Sequence, residues 1–295
     1  MIIFFILLII NIVYDINLVC ENMYTSLYIW LIKILPSFFI FFIFSSYLLE
    51  KNILSKLSFV LKPFFSFETN KSYELLLLSM FISNPTTIKL AKKSYESNQI
   101  TINDYKKIIY LSLFSNPLFL ISFLNIKTVL IFILIQFITI FIIDKFLKLN
   151  KTNNNIINID KKQNSFIIIN SSLNEVIYIL LMIAVSICFV NLIKFTIINT
   201  LSLLNINISN LDLYLSFFEV TSGIISIQSF SFSYENVLIL FIITFQGLAI
   251  NLQNYCVINN SNINYKKAII IRFFESLIAS IIYLLFIYIA TSLLP

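Results

Sequence analysis

Two proline breaks sit inside strongly apolar sequence, Ser83-Asn84-Pro85-Thr86-Thr87 and Ser115-Asn116-Pro117. Proline lacks a backbone N–H and turns the residue before it away from helix. Carbonyls and amides at such a break lose their intrahelical partners, and lipid offers none in return. Broken backbone at membrane depth is therefore buried in protein or lines a wet cavity. The first break reads as a hairpin tip where free amides and the side chains of Ser83, Asn84, Thr86 and Thr87 meet a solute. Helix N-termini there would favour an anion. The plain alternative is a turn with a Ser/Thr cap. The second break, carrying Ser115 and Asn116, reads either as part of a site or as an ordinary proline kink.

Three ionisable residues, Glu219, Arg272 and Glu275, lie in apolar segments, where a charge is expensive and a partner is expected. Arg272 and Glu275, three apart on a helix, can pair with each other. Equally, the planar guanidinium can take both oxygens of a carboxylate solute. Glu219 opens the polar patch Glu219-Val220-Thr221-Ser222-Gly223, so Thr221 and Ser222 join the candidates. Gly223 is one of only two glycines, and where glycine is this scarce each marks tight backbone geometry. The other glycine, Gly247, follows Gln246 and precedes Asn251 and Gln253. That group reads as a second tip, or as a loop between two short helices. Lys33 and Lys194 read as cations that snorkel to an interface.

The chain has no histidine, which removes the commonest general base and any Ser/His or Cys/His nucleophile pair. Cys20, Cys188 and Cys256 are far apart and show no CxxC spacing, so neither a disulfide framework nor a metal site is expected. An enzyme is disfavoured, and no cofactor is expected.

Composition sets the class. Of 295 residues, 59% are hydrophobic and 12% charged, and the mean hydropathy is +0.93. A soluble domain carries about twice that charged fraction. The fold class expected is an all-α polytopic membrane protein. The net charge of +6 could suggest nucleic acid. However, the lysines flank apolar spans as orientation signals do, so the expected partners are the lipid bilayer and a small solute.

Along the chain, an N-terminal transmembrane span is expected within 1–26. A first repeat fills 27–147, with a span broken at Pro36 in Leu35-Pro36-Ser37-Phe38-Phe39. An interfacial amphipathic stretch at 53–65 and a re-entrant hairpin at 73–97 follow. After them come a broken span at 104–124 and a clean one from Lys127 to Phe146. The Asn- and Lys-rich stretch 148–172 is a linker. A second repeat fills 173–295: a long span, an amphipathic stretch at 211–227, a second re-entrant hairpin at 237–258, and a last span. Ile102-Asn103-Asp104-Tyr105-Lys106-Lys107 resembles Ile263-Asn264-Tyr265-Lys266-Lys267, each following a hairpin. An odd number of crossings between the halves makes the repeat an inverted one. Fourteen of the twenty basic residues then fall on one face, which the positive-inside rule makes cytoplasmic together with the N-terminus.

The order of these motifs resembles the sporulation integral membrane protein family (YlbJ-like), whose members carry the nucleoside-recognition or Gate domain. The pieces that carry the resemblance are Leu35-Pro36-Ser37-Phe38-Phe39, Asn84-Pro85-Thr86-Thr87-Ile88-Lys89-Leu90 and Ser115-Asn116-Pro117-Leu118-Phe119. Further on come Phe218-Glu219-Val220-Thr221-Ser222-Gly223, Gln246-Gly247-Leu248-Ala249-Ile250-Asn251-Leu252-Gln253, and Arg272. Both glycines of the family's first tip are absent here, Gln246 stands for one at the second tip, and no histidine follows Arg272. The resemblance implies a core like that of the concentrative nucleoside transporters, with two re-entrant hairpins. It also implies a sporulation permease moving a small anion, dipicolinic acid, across the outer forespore membrane. The alternatives are a nucleoside transporter and a non-transporting scaffold for spore assembly.

Overall fold

The computed structural model describes residues 2–51, 53–147, 165–206, 208, 210–230, 234–259 and 263–293. Most of the expected linker, 148–164, lies outside the described residues. Every regular element among the described residues is helical. In order they are α1 (Ile2–Tyr14), α2 (Ile16–Ile29), a π-turn (Trp30–Ile34), α3 (Leu35–Glu50), α4 (Ser55–Ser58), a 3-10 turn (Phe59–Leu61), α5 (Asn70–Ile82), α6 (Thr86–Glu96), α7 (Ile102–Leu111) and α8 (Pro117–Ile121). They continue with α9 (Ile126–Phe146), α10 (Ser165–Leu203), α11 (Leu211–Leu215), a 3-10 turn (Ser216–Phe218), α12 (Val220–Phe230), α13 (Glu235–Phe245), α14 (Gly247–Ile258) and α15 (Tyr265–Leu293). Among the described residues five stretches are long and apolar enough to cross a membrane: Ile16–Leu49, Ile126–Phe146, Ser172–Leu203, Glu235–Ile258 and Tyr265–Ser292. Large apolar side chains such as Leu130, Leu134, Val185, Ile281 and Leu285 point outward, as lipid contact requires.

The N-terminal part differs from expectation. α1 has 13 residues, too few for the ~20 that a crossing needs. α2 instead runs through the π-turn into α3 as one helix of 34 residues, so the boundary expected at 26/27 falls inside it. The polar run Glu21 to Ser26 contains no glycine or proline to stop a helix, and the hydroxyls of Thr25 and Ser26 fold back onto the Asn22 carbonyl. Pro36 does not break the helix either. The turn ahead of it widens, and the Leu35 N–H reaches the Trp30 carbonyl, as at other π-bulges.

The ends of the bundle are locked differently. At one end Asp104, opening α7, accepts from the backbone N–H of Glu68 (2.9 Å) and Thr69 (2.8 Å) and from the hydroxyls of Thr69 and Ser72 (both 2.7 Å). Beside it Lys107 pairs with Asp144 of α9 at 2.8 Å, and Lys71 pairs with Glu74 at 3.0 Å. Burial pushes the Glu74 carboxyl above the usual carboxylate range while Lys71 pulls it down. Lys92 of α6 donates to the Val257 carbonyl at the end of α14 (2.8 Å), and Lys93 meets Glu175 near the start of α10. At the other end Gln228 of α12 donates to the Phe123 carbonyl (3.0 Å), and Lys33 to that of Ser122 (2.7 Å).

These contacts give the helices their directions. Both feet of α5–α6 lie at the basic end. α7 rises from that end, and α8 carries the chain on toward the other. α13 starts at the opposite end and packs in the cluster of Val220, Ile224, Phe132 and Tyr283. α14 ends among Ile88, Tyr105 and Tyr265 at the basic end. In place of the hairpin expected at 237–258, Glu235–Ile258 therefore runs end to end, bent at Gln246. The reason is packing: α14 lies along α10 and α6, while α13 lies along α12 and α15. Lys266 and Lys267 consequently join the basic end, where the inverted count had placed them opposite.

Candidate functional site

Four helix starts meet in the middle of the bundle, and a cavity opens between them. Its lining includes Ser83 and Asn84 before α6, Ser115 and Asn116 before α8, Glu219 to Thr221 at α12, and Ala249, Ile250 and Gln253 on α14. Ile34, Phe38 and Phe119, with Ile183 and Ile187 of α10, make the apolar wall. The space between atoms is about 460 Å³, open mouth included.

Local chemistry fixes each break. The chain reverses between α5 and α6, where Ser83 sits at φ +56° and the Asn84–Pro85 bond is cis. The Thr87 hydroxyl closes the turn on the Ser83 carbonyl at 3.0 Å. At the second break Asn116 caps α8: its Oδ1 accepts from the N–H of Leu118 (2.9 Å) and Phe119 (3.4 Å), and its Nδ2 donates to the Ser37 carbonyl at 3.2 Å. At α12 the Glu219 carboxylate accepts from the N–H of Thr221 (2.9 Å) and Ser222 (2.6 Å) and from the Thr221 hydroxyl (2.7 Å). At α14 Gln246 takes a left-handed conformation at φ +67°, and Asn251 donates to the carbonyls of Phe245 and Gly247. α6 and α14 begin with no side-chain cap.

One carbonyl ties the breaks together. The Ser112 oxygen, at the end of α7, accepts from Asn84 Nδ2 (2.6 Å), Gln246 Nε2 (3.2 Å) and Arg272 Nη1 (2.7 Å). Asn84 Nδ2 also donates to Gln246 Oε1 at 3.1 Å, which brings the tips expected from sequence into contact. Asn84 lines the cavity, and its buried Oδ1 accepts no hydrogen bond from the protein.

The sequence-derived candidates divide accordingly. Ser83, Asn84, Ser115, Asn116, Glu219, Thr221 and Gln253 line the cavity. Gln246, Gly247 and Asn251 shape the bend beside it. Thr86 and Thr87 are buried in the first turn of α6, and Ser222 turns to Lys194 at 2.9 Å. Arg272 and Glu275 are outside the lining. Arg272 gives Nη2 to the Ile109 carbonyl at 2.9 Å, so it caps the broken end of α7 and does not face the cavity. Glu275 stands 3.7 Å from Arg272 Nε.

Sequence reasoning passed over several contributors. Lys194 is buried, where snorkelling had been expected. It ends beside Ser222, which also bonds Asn191, while Asn191 donates to Ser26. Ile183, Ile187 and Ser112 carried no signal among so many apolar and Ser residues. Phe38 lay in a motif noted for its proline and for the family resemblance, not as a site residue. Among the described residues no group of His, Cys, Asp and Glu is placed to hold a metal ion. The chain matches no known protein family, no curated protein and no solved structure.

Proposed function

We propose that this chain is a permease that passes a small solute through the central cavity. The observation that carries the reading is the meeting of four broken or starting helices round one partly polar cavity inside an apolar bundle. Discontinuous helices at the midplane are the usual place for a transporter's solute. In this reading α5–α6 and the α11–α12 pair are half-crossing hairpins from opposite ends. Each is followed by a bent crossing, α7–α8 or α13–α14, and then by an unbroken one, α9 or α15. That order is an inverted repeat with the second tip at Glu219. The basic end faces the cytoplasm. α2 then starts at the far face, and α1, rising only about 20 Å, leaves the expected cytoplasmic N-terminus without a crossing.

The cargo expected from the motif resemblance is dipicolinate, carried across the outer forespore membrane. The uncapped starts of α6 and α14 suit an anion. A second reading, an uncharged nucleoside-like solute, is favoured by the absence of any cation from the cavity lining, where Glu219 is the charged group. Purified protein in liposomes decides between them. Radiolabelled dipicolinate accumulating against controls supports the first reading, and a nucleoside accumulating instead supports the second. Accumulation of neither overturns the permease.

A further inference from the structure

Glu275 is the most deeply enclosed charged side chain of the bundle. It is 0% exposed and Arg272 2%, and neither carboxylate oxygen accepts a hydrogen bond. A carboxylate buried without donors is costly, because an apolar surrounding gives back little of the hydration lost. Among the described residues its ion-pair partner is Arg272, at 3.7 Å through Nε, and that guanidinium is already engaged. Nη1 and Nη2 hold the carbonyls of Ser112 and Ile109. Other charged groups on the packed elements lie elsewhere. α7 carries Asp104, Lys106, Lys107 and Tyr110 toward the basic end, and α9 carries Lys127, Asp144 and Lys145 at its ends. α13 has Glu235 at its outer start, and α14 has Tyr255 and Cys256, both exposed. On α15 itself Tyr265 bonds Asn251, Lys266 and Lys267 stand at the start, and Tyr283 packs on Phe132.

We infer that Glu275 is a proton-binding site coupled to the cavity through Arg272. The link is physical. A proton from water on Glu275 removes the charge facing Arg272, and Arg272 holds the same Ser112 carbonyl that anchors Asn84 and Gln246. The proton is a second ligand, bound apart from the solute and sensed at both breaks. As a coupling device this rests on the permease reading; as a proton site it does not.

Infrared difference spectra of the full chain in nanodiscs, recorded across a pH series, test the site without any solute. The wild type should show a carboxylic-acid C=O band that appears on acidification, and Glu275→Gln should lose it. Glu275→Asp, which keeps a carboxyl, should shift the band and guards against a Gln variant that does not fold. A band unchanged in both variants, or unmoved in Glu275→Asp alone, overturns the proposal. In liposomes, one coupled proton makes the dipicolinate accumulation ratio change about tenfold per pH unit of gradient. A ratio indifferent to the gradient overturns the coupling even if the band behaves. If the wild type accumulates no solute, the permease reading falls while the infrared result still decides whether Glu275 binds the proton.

Discussion

Arg272 is committed to structure: two nitrogens close the end of α7 and the third faces Glu275. Arg272→Gln leaves an uncompensated buried carboxylate, so it should destabilise the fold by about 3–5 kcal/mol. The expected result is less folded protein in fluorescence-detected gel filtration, not a folded protein lacking transport. Arg272→Gln/Glu275→Gln removes both charges and should recover much of that yield; an equally poor double variant would show that the pair is not the cause. Gly247 makes a different case. It sits at φ +56°, and a Cβ there would lie 3.2 Å from the Phe218 carbonyl. Gly247→Ala should cost on the order of 1–2 kcal/mol from the left-handed backbone alone, read as a lower melting temperature. Scarcity flagged both glycines in the sequence. It could not say that they crowd carbonyls, because Gly247 meets Phe217 and Phe218 far back in the chain, and Gly223 meets Ser216 only once the turn into α12 is made.

At the scale of elements, the helix breaks show what the sequence can and cannot carry. Pro85 and Pro117 mark real interruptions, because a missing donor is a local fact. Pro36 does not, because a π-turn absorbs it. Where the chain goes after an interruption is not local. Gln246 in a left-handed turn permits either a reversal or a bend, and the packing of α14 on α10 and α6 decides for the bend. Asn116 offers a test of one element. Asn116→Ala removes the cap of α8 and the bond to Ser37, and should lower stability by about 1–2 kcal/mol. A loss confined to transport, with an unchanged melting curve, would show that Asn116 serves the solute alone. The turn from α11 into α12 depends on Gly223, whose added Cβ would collide with the Ser216 carbonyl. Gly223→Ala should push that turn outward at a cost of order 1–3 kcal/mol.

For the whole molecule, charge asymmetry is the readable signal. Lysines gather where α3, α9 and α14 end and where α7 and α15 begin, while Lys33 and Lys127 lie toward the other end. The composition made that asymmetry visible, but the misjudged course of 237–258 had sent Lys266 and Lys267 to the wrong face. The orientation is checked with single cysteines in a background lacking Cys20, Cys188 and Cys256. An impermeant thiol reagent added outside intact cells should label Ser229→Cys and leave Lys56→Cys untouched until the cells are opened. Lys56→Cys labelled from outside would reverse the molecule.

The Ser112 oxygen has more suitors than lone pairs: two lone pairs face donors from the α5–α6 tip, from the start of α14 and from α15. In the permease reading, if the α5–α6 tip or the start of α14 swings away, the remaining donors keep that oxygen satisfied. Each movement then gives up its bond to that oxygen and the Asn84–Gln246 bond with it, each worth about 1 kcal/mol, while the Ser112 oxygen keeps a donor. A joint with spare fastenings of this kind would, in a permease, let the α5–α6 tip and the start of α14 move in turn without either movement unseating the other.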